Sequence, residues 1–174
     1  MNIKQVSLIL IAFLCMSFGL PKNIQKKVDK VVKEVFDVET FQFTSVSISK
    51  GLVSTLPSKF AENNLFKIEN DSVLLGYAYI SKAASKTDEF DYLVVLDADL
   101  IVIKTKILVY REDFGSEIGS KRWLKQFIGK TKTDEVNKTN IVAISGATIS
   151  VRSMTNAMNN LLKSIHILHS KNIL

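Results

Sequence analysis

The feature that most constrains this fold is a series of four β-type runs separated by gaps too short for a helical crossover. Each run is rich in the branched and aromatic residues that favour strands. Parallel neighbours need connections of about a dozen residues or more, whereas antiparallel neighbours can be joined by short turns. The sequence therefore predicts an antiparallel sheet, with strands at residues 65–69, 73–81, 90–96 and 100–110 and a further strand at 40–48.

Two amphipathic segments flank these strands along the chain. Apolar residues recur at helical spacing from Ile24 to Phe36 and again from Val151 to Ile165. Ser150 is a favourable N-cap for the second helix, and a short helix is expected at residues 122–128. The predicted class is α+β, an antiparallel sheet with helices packed on it.

Length and composition predict one compact domain behind a leader. The chain has 174 residues, of which 47% are hydrophobic, and its 7 Gly and 2 Pro form no linker-like tract. We assign residues 20–72 to the N-terminal helix and strands of the same domain and residues 73–174 to its core. The net charge of +6 is spread along the chain among acidic residues, which favours a solvated basic surface and no nucleic-acid partner.

Residues 1–19 have the pattern of a secretory signal peptide. Lys4 gives a positive start, an apolar run extends from Val6 to Met16, and the segment ends in small residues at Ser17 and Gly19. We therefore expect an exported protein, periplasmic or in the cell envelope, with an uncleaved N-terminal membrane anchor as the alternative. Cleavage would remove Cys15, which is the single cysteine, so no disulfide is expected.

Two acidic or histidine pairs are weak candidates for a metal site. Asp97 and Asp99 flank one residue in a predicted hairpin turn, where Asp is favoured by turn geometry alone. His166 and His169 lie one helical turn apart near the C-terminus, without a third ligand nearby in sequence. We expect no metal, and no spacing supports a Ser-His-Asp triad or another catalytic dyad.

The turn Ser145-Gly146-Ala147-Thr148 is the strongest candidate for a binding site. Gly146 and Ala147 leave little side-chain bulk around the Thr148 hydroxyl, and the turn enters a helix whose first N–H groups attract anions. A phosphate held there could also meet the Ser145 hydroxyl. The other expected contributors are Ser150 and Arg152. A ligand-free helix-capping turn is the alternative.

The segment from Tyr110 to Trp123 contains glycines, charges and the single Trp of the chain. It is either a charged surface loop with Trp123 in the core, or a lid that folds over a ligand. In the second case Trp123 or Phe114 offers a flat face to an aromatic ring. The candidate binding residues of this loop are Glu112, Gly115, Gly119, Lys121 and Trp123.

The turn Ser145-Gly146-Ala147-Thr148 resembles the Ser-Gly-Ala-Thr motif of the FMN-binding domain family. That family includes the C subunit of the sodium-translocating NADH:quinone oxidoreductase and the G subunit of the Rnf complex. The resemblance covers residues 73–165, and the 111–119 loop is similar to the family's glutamate- and glycine-containing segment. It implies FMN as cofactor, linked by a flavin transferase through a phosphoester to Thr148.

One position departs from the family pattern. The family usually has Asp three residues before the Ser of the motif, where this chain has Val142, and Asn140 is the nearest polar residue. Both covalent and tight noncovalent FMN therefore remain open. The resemblance implies an exported electron carrier rather than a self-sufficient enzyme, with redox donor and acceptor proteins as partners, membrane-bound ones among them. The alternative is a non-redox binding or interaction module of the cell envelope, without flavin.

Overall fold

The computed structural model describes residues 20–174, so the predicted signal peptide or anchor at residues 1–19 lies outside the described residues. The helices are α1 (Lys22–Phe36), α2 (Lys50–Val53), α3 (Lys121–Leu124) and α4 (Thr148–Ser170), with 3-10 helices at Ser116–Gly119 and Lys125–Phe127. The strands are β1 (Gln42–Ser45), β2 (Leu65–Asn70), β3 (Val73–Ala84), β4 (Glu89–Asp97) and β5 (Val102–Val109).

The strands form one five-stranded sheet in the order β1-β2-β3-β4-β5, and every neighbouring pair is antiparallel. The predicted antiparallel sheet and the α+β class are confirmed. Each connection from β2 to β5 joins strands that are adjacent in space, as the short gaps in the sequence required.

Helices cover both faces of this sheet. In β4, Tyr92 and Val94 belong to the core beneath α4, while Leu93 and Val95 belong to the core beneath α1. Strand side chains alternate between faces, so the near-continuous apolar sequence of β4 serves two separate cores. The longest of the described helices, α4, lies on the same face of the sheet as α3 and as the loop that precedes α3.

The start of α4 corrects one prediction. Ala147 is its N-cap and Thr148 its first residue, so the predicted N-cap at Ser150 is wrong. Ser150 is buried in the first turn, with 3% of its surface exposed. A side-chain cap needs a hydroxyl that faces the first N–H groups of the helix. The Ser150 side chain is buried in the first turn instead, so it does not cap α4.

Within residues 20–174, no helix has the length and apolar character that crossing a membrane requires.

The first predicted strand is shorter than expected. Residues 40–48 contribute β1 from Gln42 to Ser45, and the short helix α2 follows at Lys50, where no helix was predicted.

The Asp97 carboxylate accepts hydrogen bonds from the N–H groups of Asp99 and Ile101, at 3.0 and 2.8 Å. That carboxylate stabilises the β4–β5 turn. The described part of the chain contains no group of three or more potential metal ligands.

Gly76 in β3 is required by close packing against β4. A Cβ at this position would lie 2.1 Å from the Leu96 carbonyl oxygen. We expect Gly76→Ala to lower the free energy of unfolding by about 2 kcal/mol or more, because the sheet must separate locally. Gly51→Ala is the matched control, since no atom lies within 4 Å of a Cβ there and the residue is helical. Equal urea stability of the two variants would contradict this account.

Candidate functional site

The Ser145-Gly146-Ala147-Thr148 motif forms a tight turn that leads directly into α4. The Ala147 N–H donates to the Ile144 carbonyl at 3.2 Å, and Gly146, third of the four turn residues, has a φ of 81°. A positive φ at this position is typical of a type II turn and favours glycine. Gly146 is thus explained by backbone geometry, and the turn exposes the Ser145 side chain.

The entrance of α4 is open to an anion. No side chain caps the helix, and Thr148 is exposed at its first position. The Thr148 hydroxyl makes no hydrogen bond to the described residues. Because α4 is 23 residues long, its first N–H groups carry the full partial positive charge of a helix N-terminus. The free hydroxyl and this positive end lie side by side.

The loop that follows β5 packs against the motif turn. Gly115 has a φ of 82°, and a Cβ there would lie 3.0 Å from the Ala147 Cβ and 2.9 Å from the Tyr110 hydroxyl. That hydroxyl donates to the Phe114 carbonyl at 3.1 Å and therefore accepts from Ser150, also at 3.1 Å. The Ser150 proton is used in this contact. Ser150 positions the loop on the helix and has no second proton to donate to a ligand.

The backbone before the motif is held by α3 and the residues that follow it. The Trp123 indole N–H donates to the Val142 carbonyl at 2.8 Å, and the Val142 N–H donates to the Gln126 side-chain oxygen at 2.7 Å. Trp123 itself is 5% exposed and packs edge-on against Phe127. These contacts fix both backbone groups of Val142 and leave its side chain 69% exposed.

A cavity of about 650 Å³ lies between α3 and the motif. This volume is within the range of small-molecule and cofactor sites. Its walls combine apolar side chains with one guanidinium and one carboxylate, and they are formed by Glu117, Ser120, Arg122, Trp123, Gln126, Val142, Ala143, Ile144 and Ser145.

The structure separates the predicted site residues into two groups. Those gathered around the turn and cavity are Gly115, Trp123, Ser145, Gly146, Ala147, Thr148 and Ser150. Arg152 is exposed one helical turn after Thr148, on the same side of α4. Gly119 and Lys121 line a different groove, beside β5 and α1, and Glu112 contacts the β3–β4 turn.

Glu112, in the loop after β5, stabilises the turn between β3 and β4. Its carboxylate accepts hydrogen bonds from the Thr87 N–H at 2.6 Å, the Thr87 hydroxyl at 2.9 Å and the Asp88 N–H at 3.3 Å. The backbone hydrogen bond from Thr87 is the main reason that the pKa of Glu112 falls from its usual 4.5 to about 2. Glu112 therefore ties the loop to the sheet.

Residues 86–163 match the family model described as the FMN-binding domain. The chain contains an FMN-binding domain. The matched segment runs from the β3–β4 turn into α4 and includes both the loop and the motif, so the resemblance stated from the sequence is confirmed. The FMN-binding domain supports FMN as cofactor and agrees with the α+β fold. No curated protein matches the chain.

The sequence did not identify two residues of the FMN-binding domain that line the cavity. Gln126 uses both ends of its amide, donating to the Trp123 carbonyl at 3.0 Å and accepting from Val142. Arg122 supplies the single positive side chain among those lining the cavity. The helical spacing of three between Trp123 and Gln126 places them on one face, but nothing in the sequence indicates that this face meets residue 142.

Gly115 lets the loop after β5 pack closely against Ala147 of the motif. A matched pair of alanine variants tests this close contact. Gly115 and Gly129 both have a φ of 82°, but no atom lies within 4 Å of a Cβ at Gly129. Alanine should cost about 1 kcal/mol of unfolding free energy at each position because of the left-handed backbone. Gly115→Ala should cost at least about 1 kcal/mol more, because the Cβ crowds Ala147. Equal denaturant midpoints for the two variants would refute the contact.

Glu112 should make the stability of the FMN-binding domain dependent on acid pH. Its folded pKa of about 2 lies below the ordinary 4.5, so its contribution is complete above about pH 4.5 and is lost as the pH falls towards 2. The difference in unfolding free energy between wild type and Glu112→Gln should shrink over this window. Glu39→Gln, which removes an exposed carboxylate without hydrogen bonds to the described residues, controls for net charge. A difference that does not vary with pH would exclude this role.

Proposed function

We propose that this protein is an exported flavoprotein that binds FMN at the motif turn, through a phosphoester to Thr148, and passes electrons between partner proteins. The observation that carries the proposal is the free, exposed Thr148 hydroxyl at the uncapped entrance of α4, beside a cavity of about 650 Å³. The family match supports the FMN part of this proposal.

The residues at the turn fit a phosphate group. A phosphate on Thr148 would lie at the first turn of α4, where the unpaired N–H groups and the helix dipole stabilise negative charge. The Arg152 guanidinium, one turn away and exposed, supplies a positive charge. Ser145 lines the cavity beside the turn and offers a further hydroxyl. Both a phosphomonoester and a phosphodiester are compatible with these contacts.

The cavity fits the ring system of a flavin. Trp123, Val142 and Ile144 provide apolar contact, and Arg122 provides hydrogen-bond donors at the wall. The indole N–H of Trp123 is already bonded to Val142, so this residue contributes surface and shape. Phe114 is 83% exposed on the loop beside the motif and is free to cover a ring.

FMN supplies one-electron and two-electron chemistry when bound, and the protein supplies position and environment. Trp123 and Gln126 hold the backbone that borders the cavity, and Tyr110 with Ser150 holds the loop against the helix. A carrier of this kind needs no catalytic acid or base of its own. An electron carrier is therefore a better description than a self-sufficient enzyme.

The covalent bond would be made by a flavin transferase that uses FAD. In that reaction the Thr148 oxygen would displace AMP at the FMN-side phosphorus of FAD, with cleavage of the pyrophosphate linkage and loss of the hydroxyl proton to solvent. An exposed Thr148 gives such an enzyme access to the oxygen. The Val142 side chain is also exposed, so an enzyme can contact the position at which the family usually has Asp.

Replacement of Thr148 tests the attachment. The wild type, Thr148→Ser and Thr148→Ala should each be produced with a flavin transferase and analysed by visible absorbance and by mass of the Thr148 peptide. We expect wild type and Thr148→Ser to carry FMN covalently and Thr148→Ala to carry none. Covalent FMN on Thr148→Ala would place the bond elsewhere.

Val142→Asp separates the two modes of binding. If the missing acid limits the transferase, this variant should be loaded with covalent FMN to a greater extent than wild type. FMN that is extractable from every variant supports the noncovalent mode. Wild type and Val142→Asp that both lack flavin would contradict the proposal and favour the non-redox interaction module, for which the exposed Phe114, Val142 and Ile149 are the contact candidates.

A further inference from the structure

A second concave surface lies beside β5, away from the motif, and lysines surround it. It is a groove of about 580 Å³ between α1 and the segment from Gly119 to Ile128. One carboxylate, that of Glu34, lies among its lining residues, and it pairs with Lys104 at 3.9 Å. The other lysines of the groove form no ion pair within residues 20–174. The lysines that line the groove are Lys30, Lys104, Lys106, Lys121 and Lys125.

The register of the sheet directs two of these lysines towards α1. Lys104 lies opposite Val95 and Lys106 lies opposite Leu93, and both apolar partners belong to the core beneath α1. Opposed residues of neighbouring strands share one face of a sheet. The two lysine side chains of β5 therefore continue the surface of the helix.

α1 extends the positive charge beyond the groove. Four of its exposed lysines recur at spacings of four, four and three residues, which places them on one side of a helix. From the first to the last, this row is about 16 Å long, given the rise per residue of a helix. The lysines of the row are Lys22, Lys26, Lys30 and Lys33.

The charge gathered on this side exceeds the charge of the whole chain. α1 contains five lysines, and the groove adds four that lie outside α1, against the two carboxylates of Asp29 and Glu34. The resulting net charge is +7, compared with +6 for the entire chain, so the remainder is slightly negative. We call these nine lysines the basic surface. Charge concentrated on one side attracts and orients a molecule at an anionic surface.

An apolar side chain lies among the ammonium groups. Ile128 lines the groove and is 40% exposed. Membrane-bound surfaces combine lysines at the level of the headgroups with apolar side chains that enter the boundary of the acyl chains. Lysine stems are themselves apolar and can lie along such a boundary while the ammonium stays in the polar layer. This combination favours a lipid surface over a soluble acidic protein.

The sequence before α1 favours the same partner. The predicted apolar run ends at Met16, six residues before Lys22, and six extended residues span at most about 20 Å. As an uncleaved anchor, the run would hold α1 within this distance of the bilayer. After cleavage, the basic surface would be the attachment that remains.

We propose that the basic surface docks on an anionic phospholipid membrane, with headgroup phosphates bound by the lysines and Ile128 at the acyl boundary. Anionic lipids can gather beneath a broad array of lysines, so the row on α1 and the groove bind together. α4 covers the opposite face of the sheet from α1, so a bilayer against α1 lies on the far side of the sheet from α4. Docking does not require FMN, so it can fail or succeed independently of the proposed flavin site.

Lysine labelling of the full chain maps the contact. The chain is mixed with vesicles of palmitoyl-oleoyl phosphatidylglycerol or phosphatidylcholine and acetylated briefly, and each lysine is quantified by mass spectrometry. We expect Lys30, Lys104 and Lys125 to lose reactivity on phosphatidylglycerol alone, and added salt to restore it. Lys138 and Lys171, which are exposed and outside the basic surface, should react equally on both vesicles. Because both vesicles carry the same chain, insertion of residues 1–19 does not produce this difference.

Paired charge reversals show which lysines hold the membrane. Lys30→Glu with Lys125→Glu should lower the ratio of affinities for phosphatidylglycerol and phosphatidylcholine vesicles at least roughly tenfold, because attractive contacts become repulsive. Lys138→Glu with Lys171→Glu makes the same change in net charge outside the basic surface and should have little effect. Thermal unfolding of both pairs confirms that the variants fold.

Each contrary result overturns the proposal. Equal acetylation of the basic surface on the two kinds of vesicle does so directly. An equal loss of affinity in the two variant pairs shows that net charge alone is responsible. Saturable binding of polyglutamate, without protection of these lysines on phosphatidylglycerol, would assign the surface to an acidic protein.

Discussion

The packing of α4 on the sheet is the constraint on which the rest of the structure depends. The buried side of this 23-residue helix contributes seven apolar side chains to the core on one face of the sheet. Each such side chain stabilises the fold by about 1.5 to 3 kcal/mol on burial. A helix fixed along its length has a fixed end, so the position of Thr148 follows from apolar contacts far from it. The fully buried residues of this stripe are Met154, Met158, Leu161, Leu162, Ile165 and Leu168.

Polar contacts then shape the site around that fixed end. Trp123 and Gln126 satisfy the backbone of Val142, and Tyr110 satisfies Ser150, so these groups beside the motif are paired. The Thr148 hydroxyl is left unpaired among the described residues. The site thus has a fixed wall and a free hydroxyl, which is the combination that the proposed phosphoester requires.

The fold also redistributes charge that is scattered along the chain. Lys30 lies in α1, Lys104 and Lys106 in β5, and Lys121 and Lys125 in or just after α3. In sequence they are mixed with acids and indicate a solvated basic surface. The edge position of β5, between two helical segments, gathers them around one groove. Local charge density is therefore a property of the topology, since the composition alone gives a modest net charge.

The sequence by itself determined the antiparallel sheet and the place of the motif. Strand periodicity and short gaps leave few ways to connect residues 65–110, and Gly146 marks a backbone geometry that other residues adopt at a cost. Tertiary structure decided which neighbours of Gly115 reach the site. The 3-10 helix at Ser116–Gly119 turns the chain, so Trp123 meets the motif while Gly119 and Lys121 line the groove beside β5 and α1. Glu112, three residues before Gly115, binds the β3–β4 turn. Sequence proximity could not separate these roles, because the direction of each side chain depends on contacts between segments distant in the chain.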